Sequence, residues 1–148
     1  MKPQGVHLIV FDSLSDLTGV DWQAVSDTLR DAGMMYHEPD VHRKAFEHSH
    51  TALFVYHGDR LIGFGRAISD GAYQAAVYDV AVIPEFRKKG VGTTIIRHIQ
   101  ARLSHCNIIL YAAPGREAFY GKLGFRKMKT GMALFLNAGA MQKKGLTE

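Results

Sequence analysis

Apolar positions along the chain change period several times, and each change predicts an element. His7 to Phe11 is almost continuously apolar and reads as a first strand. Asp12 to Asp21 is rich in capping residues and reads as a loop before a helix at about Trp22 to Ala32, which Gly33 would end. In "HEPDVHRKAFEHS" Pro39 opens a second short helix, with Val41, Ala45 and Phe46 as its apolar stripe. "TALFVYHGDRLIGFGRAI" predicts two strands joined by a turn at Gly58-Asp59. "SDGAYQ" is a second turn, and "AAVYDVAVI" is a strand whose near-continuous apolar character predicts cover on both faces until Pro84 stops it.

From Gly90 the period becomes helical. Val91, Ile95, Ile96, Ile99 and Leu103 keep one face, while Arg97, His98 and Arg102 keep the other. "NIILYAA" then predicts a buried strand, "GREAFYGKL" a short helix closed by Gly124, and "FRKMKTGMALFL" two strand pieces interrupted near Thr130-Gly131. Asn137 to Glu148 has no apolar period and is expected to fray. The order β-α-α-β-β-β-α-β-α-β-β, without an internal repeat, predicts an α/β domain over residues 1–136 around a mixed sheet, with residues 137–148 as a tail.

Composition narrows the class. With 148 residues, 47% of them hydrophobic and 22% charged, the chain fits one globular domain and not a disordered segment. Its apolar runs are too short for a membrane span or a secretory leader, so a cytoplasmic protein without membrane attachment is expected. The single cysteine, Cys106, precedes an apolar run and reads as a structural thiol and not a nucleophile. The net charge of +4 suits an anionic ligand. Five basic residues against one acidic one fall between Pro84 and Leu103, and there the charge meets a turn.

That turn is "PEFRKKGVG", three cations followed by two glycines at the mouth of a helix. Helix-start N–H groups have no intrahelical partner and favour negative charge. Gly90 and Gly92 let an anion approach the main chain, and Arg87, Lys88 and Lys89 add charge at its mouth, so phosphate oxygens fit. A Walker loop needs a lysine and a hydroxyl residue after its last glycine, and a dinucleotide fingerprint needs three spaced glycines; neither pattern is present.

The arrangement "DVAVIPEFRKKGVG", followed 27 residues after Gly92 by "FYGKLGF", resembles the GCN5-related N-acetyltransferase (GNAT) superfamily, and the expected elements follow that family's layout from His7 to Leu136. The resemblance implies a single-domain GNAT-like fold, a mixed central β-sheet flanked by helices, with acetyl-CoA as cosubstrate and no metal. It implies that the main chain from Arg87 through Lys88, Lys89, Gly90, Val91 and Gly92 to Thr93 holds the pyrophosphate. By the same resemblance Val80, Ala81 and Val82 pair with the pantetheine arm, the Val80 N–H polarises the thioester carbonyl, and Tyr120 protonates the departing thiolate. Homodimers are common in the family.

The sequence also departs from the family. Ala113 stands where many members carry an asparagine, seven residues before Tyr120, and Ala76 stands where some carry a glutamate, four residues before Val80. An alkylammonium with a pKa of about 10.4 must lose a proton before attack, so a base or a water chain is needed. By the period of two, Tyr78 shares the face of Ala76 and Val80 and is a candidate to line the acceptor pocket or relay a proton, while Asp79 points away and reads as structural. His37, His42, His48 and His50 read as solvated and not as metal ligands. Met34, Met35 and Tyr36 lie in the segment that often borders the family's acceptor pocket. The expected activity is transfer of acetyl from acetyl-CoA to a primary amine by direct attack. A non-catalytic acyl-CoA sensor is the alternative, and nucleic acid is disfavoured because only Phe86 is interleaved with the basic cluster.

Overall fold

The structure, a computed structural model, describes residues 5–12 and 17–148. They fall into two compact units, Met1–Leu110 and Tyr111–Glu148. The first holds a five-stranded sheet in the order β1-β2-β3-β4-β5: Val6–Asp12, Thr51–His57, Arg60–Ser69, Gln74–Val82 and Asn107–Ile109. Neighbours from β1 to β4 are antiparallel, and β5 runs parallel to β4, so the sheet is mixed as expected. Helices α1 (Trp22–Asp31) and α2 (Pro39–Glu47) precede β2, and α3 (Val91–Arg102) connects β4 to β5.

Both faces of the sheet are covered, and the residues say by what. Ala52 and Phe54 of β2 and Phe64 of β3 join Trp22, Val25, Leu29 and Phe46 in one core. Its rings sit 5.4–6.0 Å apart in tilted or edge-on pairs, a geometry worth about 0.5–1.5 kcal/mol per pair beyond area burial. On the other face a β-carbon placed on Gly63 would lie 3.0 Å from Val91 Cγ1, and one on Gly65 would lie 2.8 Å from Ile95 Cγ2. The two glycines therefore let α3 approach the main chain of β3. Ile95, Ile96, Ile99 and Leu103 are fully buried, as their helical spacing predicted.

Local chemistry fixes the ends. The Asp21 carboxylate accepts the Ala24 N–H at 3.1 Å and caps α1, and Gly33 takes φ +73° beyond it. Gly58, at φ +59°, turns β2 into β3. Of the loop expected over Asp12 to Asp21, residues 13–16 lie outside the described residues. Helix α2 corrects one expectation: Val41 is 46% exposed, while His42 and Phe46 are buried, so the inward stripe is turned by one residue from the one its apolar pattern suggested.

The second unit departs further from expectation. Its first helix, α4 (Glu117–Gly121), ends as predicted, with the Phe125 N–H returning to the Tyr120 carbonyl and Gly124 at φ +94°. "FRKMKTGMALFL" forms no strand; Met132, Leu134 and Leu136 are bare to solvent, so their alternation buries nothing. "NIILYAA" yields only the three-residue β5, half-exposed and not buried, which ends at Ile109 in the first unit. The end of the chain is not frayed throughout: α5 (Ala138–Lys143) is capped by the Asn137 side chain, which accepts the Ala140 N–H at 3.1 Å, and it buries Met141.

Candidate active site

Strand β4 carries the first part of the site, and it is bulged. Phe64 pairs with Ala81 and Arg66 with Tyr78, so Gly65 alone faces both Asp79 and Val80. Asp79 takes φ +56°, the left-handed region, although it is not glycine. The extra residue resets the pleat. Directly opposed partners share a face, so Tyr78 projects with Arg66, whose guanidinium lies 5.3 Å from the Tyr78 ring and 5.8 Å from that of Phe46. Val80 projects toward α3, its Cγ2 lying 3.1 Å from where a Gly65 β-carbon would be. The expectation that Tyr78 and Val80 share a face is corrected: the bulge puts them on opposite faces and brings Tyr78 and Asp79 together around Arg66.

A second feature of β4 concerns its other edge. Pairing with β5 covers only Gln74, Ala75 and Ala76, opposite Asn107, Ile108 and Ile109. Beyond Ala76 the two strands are out of register contact, and that stretch includes Val80, Ala81 and Val82. The Ala81 side chain is committed to the α1/α2 core, whereas those of Val80 and Val82 are partly exposed.

The chain then passes through a 3₁₀ turn, Pro84–Phe86, into α3. Lys88 at φ +62° and Gly90 at φ +85° reverse the backbone, and Gly90 is the N-cap without a side-chain cap. The first helical bond runs from the Thr94 N–H to the Gly90 carbonyl at 3.0 Å, so the N–H groups of Val91, Gly92 and Thr93 precede it and point out of the helix start. The three cations differ in their situation. Arg87 Nε donates to the Val82 carbonyl at 3.0 Å and ties the turn to the strand end. Lys89 Nζ lies 5.3 Å from the Phe86 ring, and Lys88 is exposed. Glu85, which would oppose an anion, is neutralised by a two-pronged pair with Arg60 at 2.8 Å on each branch. That pair holds the Glu85 carboxyl below its usual range.

In the second unit, Tyr120 sits on α4 between Phe119 and Phe125, with ring centroids 5.0 and 5.8 Å away, both edge-on. Burial pushes its phenol above the ordinary 10.0, against a smaller opposing pull from Arg116. At neutral pH the hydroxyl therefore keeps its proton and can donate it. Ala113, in place of the family asparagine, is exposed.

Two residues carry more than their sequence positions suggested. Arg66 donates from Nε to Asp79 Oδ2 at 2.6 Å in a pair only 14% and 22% exposed, and reaches Ser49 Oγ at 3.4 Å. A left-handed residue costs on the order of 1–2 kcal/mol, the same order as the roughly 1.5–3 kcal/mol of a charge-assisted hydrogen bond, so the pair acts on the scale of the bulge's backbone cost. His42 is 3% exposed and not solvated: its Nε2 accepts the His37 N–H at 2.8 Å. Burial, followed by the charges of His37 and Arg66, lowers its pKa below 6.5, against a raising pull from Asp79. Neither role has a local signal, since each depends on a residue from another element or loop. Cys106 lies 3.7 Å from Ser69 Oγ. Among the described residues no group of three His, Cys, Asp or Glu side chains is placed to hold a metal, and no helix is long and apolar enough to cross a membrane.

Comparison with known proteins places this arrangement. The chain is 37% identical over 76 residues to an uncharacterized N-acetyltransferase, ycf52, of Pyropia yezoensis, covering 49% of this chain and 44% of that one. It is 32% identical over 115 residues to serotonin N-acetyltransferase 2, chloroplastic, of Oryza sativa, covering 73% and 58%. The chain thus spans about half the length of the curated relatives it matches. A GNAT family acetyltransferase from Streptococcus pneumoniae superposes with a TM-score of 0.72 at 19% identity, over 88% of this chain and 97% of that one. Glucosamine-6-phosphate N-acetyltransferase from Arabidopsis thaliana superposes with a TM-score of 0.68 at 13% identity, over 88% and 99%. At such identities the superpositions speak to the fold alone. The sequence profile described as the acetyltransferase (GNAT) family matches residues 12–125, and the chain belongs to that family.

Proposed function

We propose that the protein is an acetyl-CoA-dependent N-acetyltransferase that passes the acetyl group to a primary amine by direct attack, with no covalent enzyme intermediate. The observation that carries the reading is the continuous unit from bulged β4 through Pro84–Phe86 into α3. It supplies a strand edge that β5 leaves uncovered beyond Ala76 and then three outward N–H groups at a helix start. Acetyl-CoA offers a matching polarity, an amide-bearing arm followed by a pyrophosphate. In this reading Val80, Ala81 and Val82 hold the arm through their main chain. The N–H groups of Val91, Gly92 and Thr93 hold phosphate, with Lys88 and Lys89 adding charge and Arg87 fixing the turn to β4.

The chemistry follows from residue roles. An N–H donor at Val80 stabilises charge on the thioester oxygen, the kind of contact worth several kcal/mol where water is excluded. Tyr120 holds the proton that the departing thiolate needs, since burial keeps its phenol protonated at neutral pH. The amine must arrive deprotonated or lose its proton in place. Tyr78 lies on the α1/α2 face beside Arg66, and we assign it to the acceptor side of the site. Among relatives, one is named a serotonin N-acetyltransferase and another, from Glycine max, a histone acetyltransferase. Both names support an amine acceptor while differing in its size. The proposal includes no metal, no nucleic-acid or membrane partner and a cytoplasmic setting, and the family's habit makes a homodimer the first assembly to test.

The test is acetyl-CoA consumption against a panel of arylalkylamines, polyamines, amino acids and lysine peptides, beside calorimetric binding of acetyl-CoA. Turnover with at least one primary amine is expected. Tight binding without turnover across the panel would favour a sensor, and no binding would overturn the proposal.

A further inference from the structure

We infer that Arg66 is a positioning residue of the transfer site: by pairing with Asp79 it holds the left-handed residue of the β4 bulge and so fixes how Val80 is presented. The inference rests on the proposed role of the Val80 N–H. A bulge of this kind commonly uses glycine at the left-handed position, because a β-carbon disfavours it. This chain places Asp79 there, at φ +56°. Aspartate tolerates this region better than most residues without requiring it, and the Arg66 Nε to Asp79 Oδ2 bond at 2.6 Å is the contact that selects it here.

Arg66 is itself fixed. Its guanidinium sits over the Phe46 and Tyr78 rings and reaches Ser49 Oγ, so it offers Asp79 a rigid anchor and not a mobile surface charge. The neighbouring residue, Gly65, leaves room for the displaced strand, since a β-carbon there would meet Val80 Cγ2 at 3.1 Å. The glycine thus stands opposite the bulge and not in it, and the bulge is held by a side chain. Arg66 acts through Asp79: losing it releases the backbone one residue before Val80. This differs from a plain stabilising ion pair, because a glycine at position 79 should make Arg66 dispensable.

The experiment compares Arg66→Met, Asp79→Gly, Asp79→Ala and the two double variants in the full chain. It uses the best amine from the panel, acetyl-CoA calorimetry, thermal melts and the NMR couplings and shifts that report φ at residue 79. Methionine keeps an apolar stem over Phe46 while removing the fork. Arg66→Met is expected to lower kcat about tenfold or more, the scale of a misplaced catalytic contact, with KM for acetyl-CoA moved less than about threefold. Adding Asp79→Gly should restore kcat to within about threefold of the parent, while Asp79→Ala should not. Unchanged turnover in Arg66→Met would overturn the inference. So would equal rescue by Asp79→Ala, because the damage would then lie in an orphaned carboxylate and not in the backbone. If Arg66→Met does not fold, the single variants decide: Asp79→Gly near the parent and Asp79→Ala impaired supports the inference, and the reverse order overturns it. If the parent neither binds acetyl-CoA nor acetylates an amine, the functional proposal fails by itself. The φ readout still decides the restraint, with a changed residue 79 in Arg66→Met supporting it and an unchanged one overturning it.

Discussion

At the scale of the residue, Tyr120 makes the sharpest prediction because one oxygen can be removed without changing its ring contacts. Tyr120→Phe should keep the edge-on packing with Phe119 and Phe125 and leave acetyl-CoA affinity within about twofold, while kcat falls roughly 10²–10⁴-fold. A parallel loss of affinity in calorimetry would reduce Tyr120 to a packing residue. The direction of its pKa adds a pH test. Folding raises the phenol pKa, so the neutral form is favoured: the stabilisation is complete below the unfolded value of about 10 and is lost as pH rises through the folded one. A parent rate that declines only on the alkaline side of 10, with Tyr120→Phe lacking that limb, is the expected profile. His42 works in the opposite sense. Its lowered pKa means that its contribution is present above 6.5 and is lost as pH falls through the folded value, when Nε2 gains a proton and can no longer accept from His37. Urea titrations at pH 7.5 and 5.5 should show His42→Gln losing less stability between the two than the parent loses.

At the scale of the element, the turn into α3 distinguishes charge from main-chain approach. Gly92→Val puts a branched side chain among the N–H groups of Val91, Gly92 and Thr93, and acetyl-CoA should bind at least about tenfold more weakly by calorimetry. Lys88→Gly removes one exposed cation and relieves a φ of +62°, so affinity should fall less than about threefold at physiological salt. Equal losses would shift the anion contact from backbone to side chains. This element was legible in the sequence because glycines, cations and a 3.6-residue apolar period coincide within one short stretch. The β2–β3 hairpin was legible for a similar reason, with Gly58 between two apolar runs. The face of Tyr78 was not. A pleat count assumes unbroken pairing, and the residue that breaks it is an aspartate held by an arginine in the neighbouring strand, so no glycine marks the place. His42 was misread for the same kind of reason: burial of a histidine depends on a backbone donor outside its helix. The alternation in "GMALFL" suggested a strand, yet a strand needs a partner edge that the pattern cannot specify.

At the scale of the whole molecule, charge is divided unevenly between the two compact units. Tyr111–Glu148 contains seven basic and two acidic residues, whereas the first unit contains eleven and twelve. The overall +4 therefore arises in the shorter segment, although the anion-seeking turn belongs to the longer one. Basic surface alone binds nucleic acid weakly and with a steep salt dependence. Gel-shift titrations with single- and double-stranded DNA and RNA should show no retardation at low micromolar protein and physiological salt. Retardation that persists there would point to a polyanionic partner. The GNAT fold, the mixed sheet and the order of elements through α4 were recoverable from pattern and motif, while the end of the chain was not: α5 depends on an asparagine cap and a single buried methionine, too little apolar signal to register as a period.

The bulge at Asp79 also determines how substitutions along β4 should co-vary. Val77 and Ala81 are both buried and lie four residues apart, which in an uninterrupted strand would make them neighbours on one face. Here Val77, opposite Ala67, shares the α3 side with Gly65, while Ala81 belongs with Trp22, Phe46 and Phe64. Compensating changes should therefore link Val77 to α3 and Ala81 to the aromatic core, with the allegiance of the strand switching at one residue. In a library that varies β4 against both sets of helices, the two halves of the strand should evolve as separate packing problems joined at Asp79.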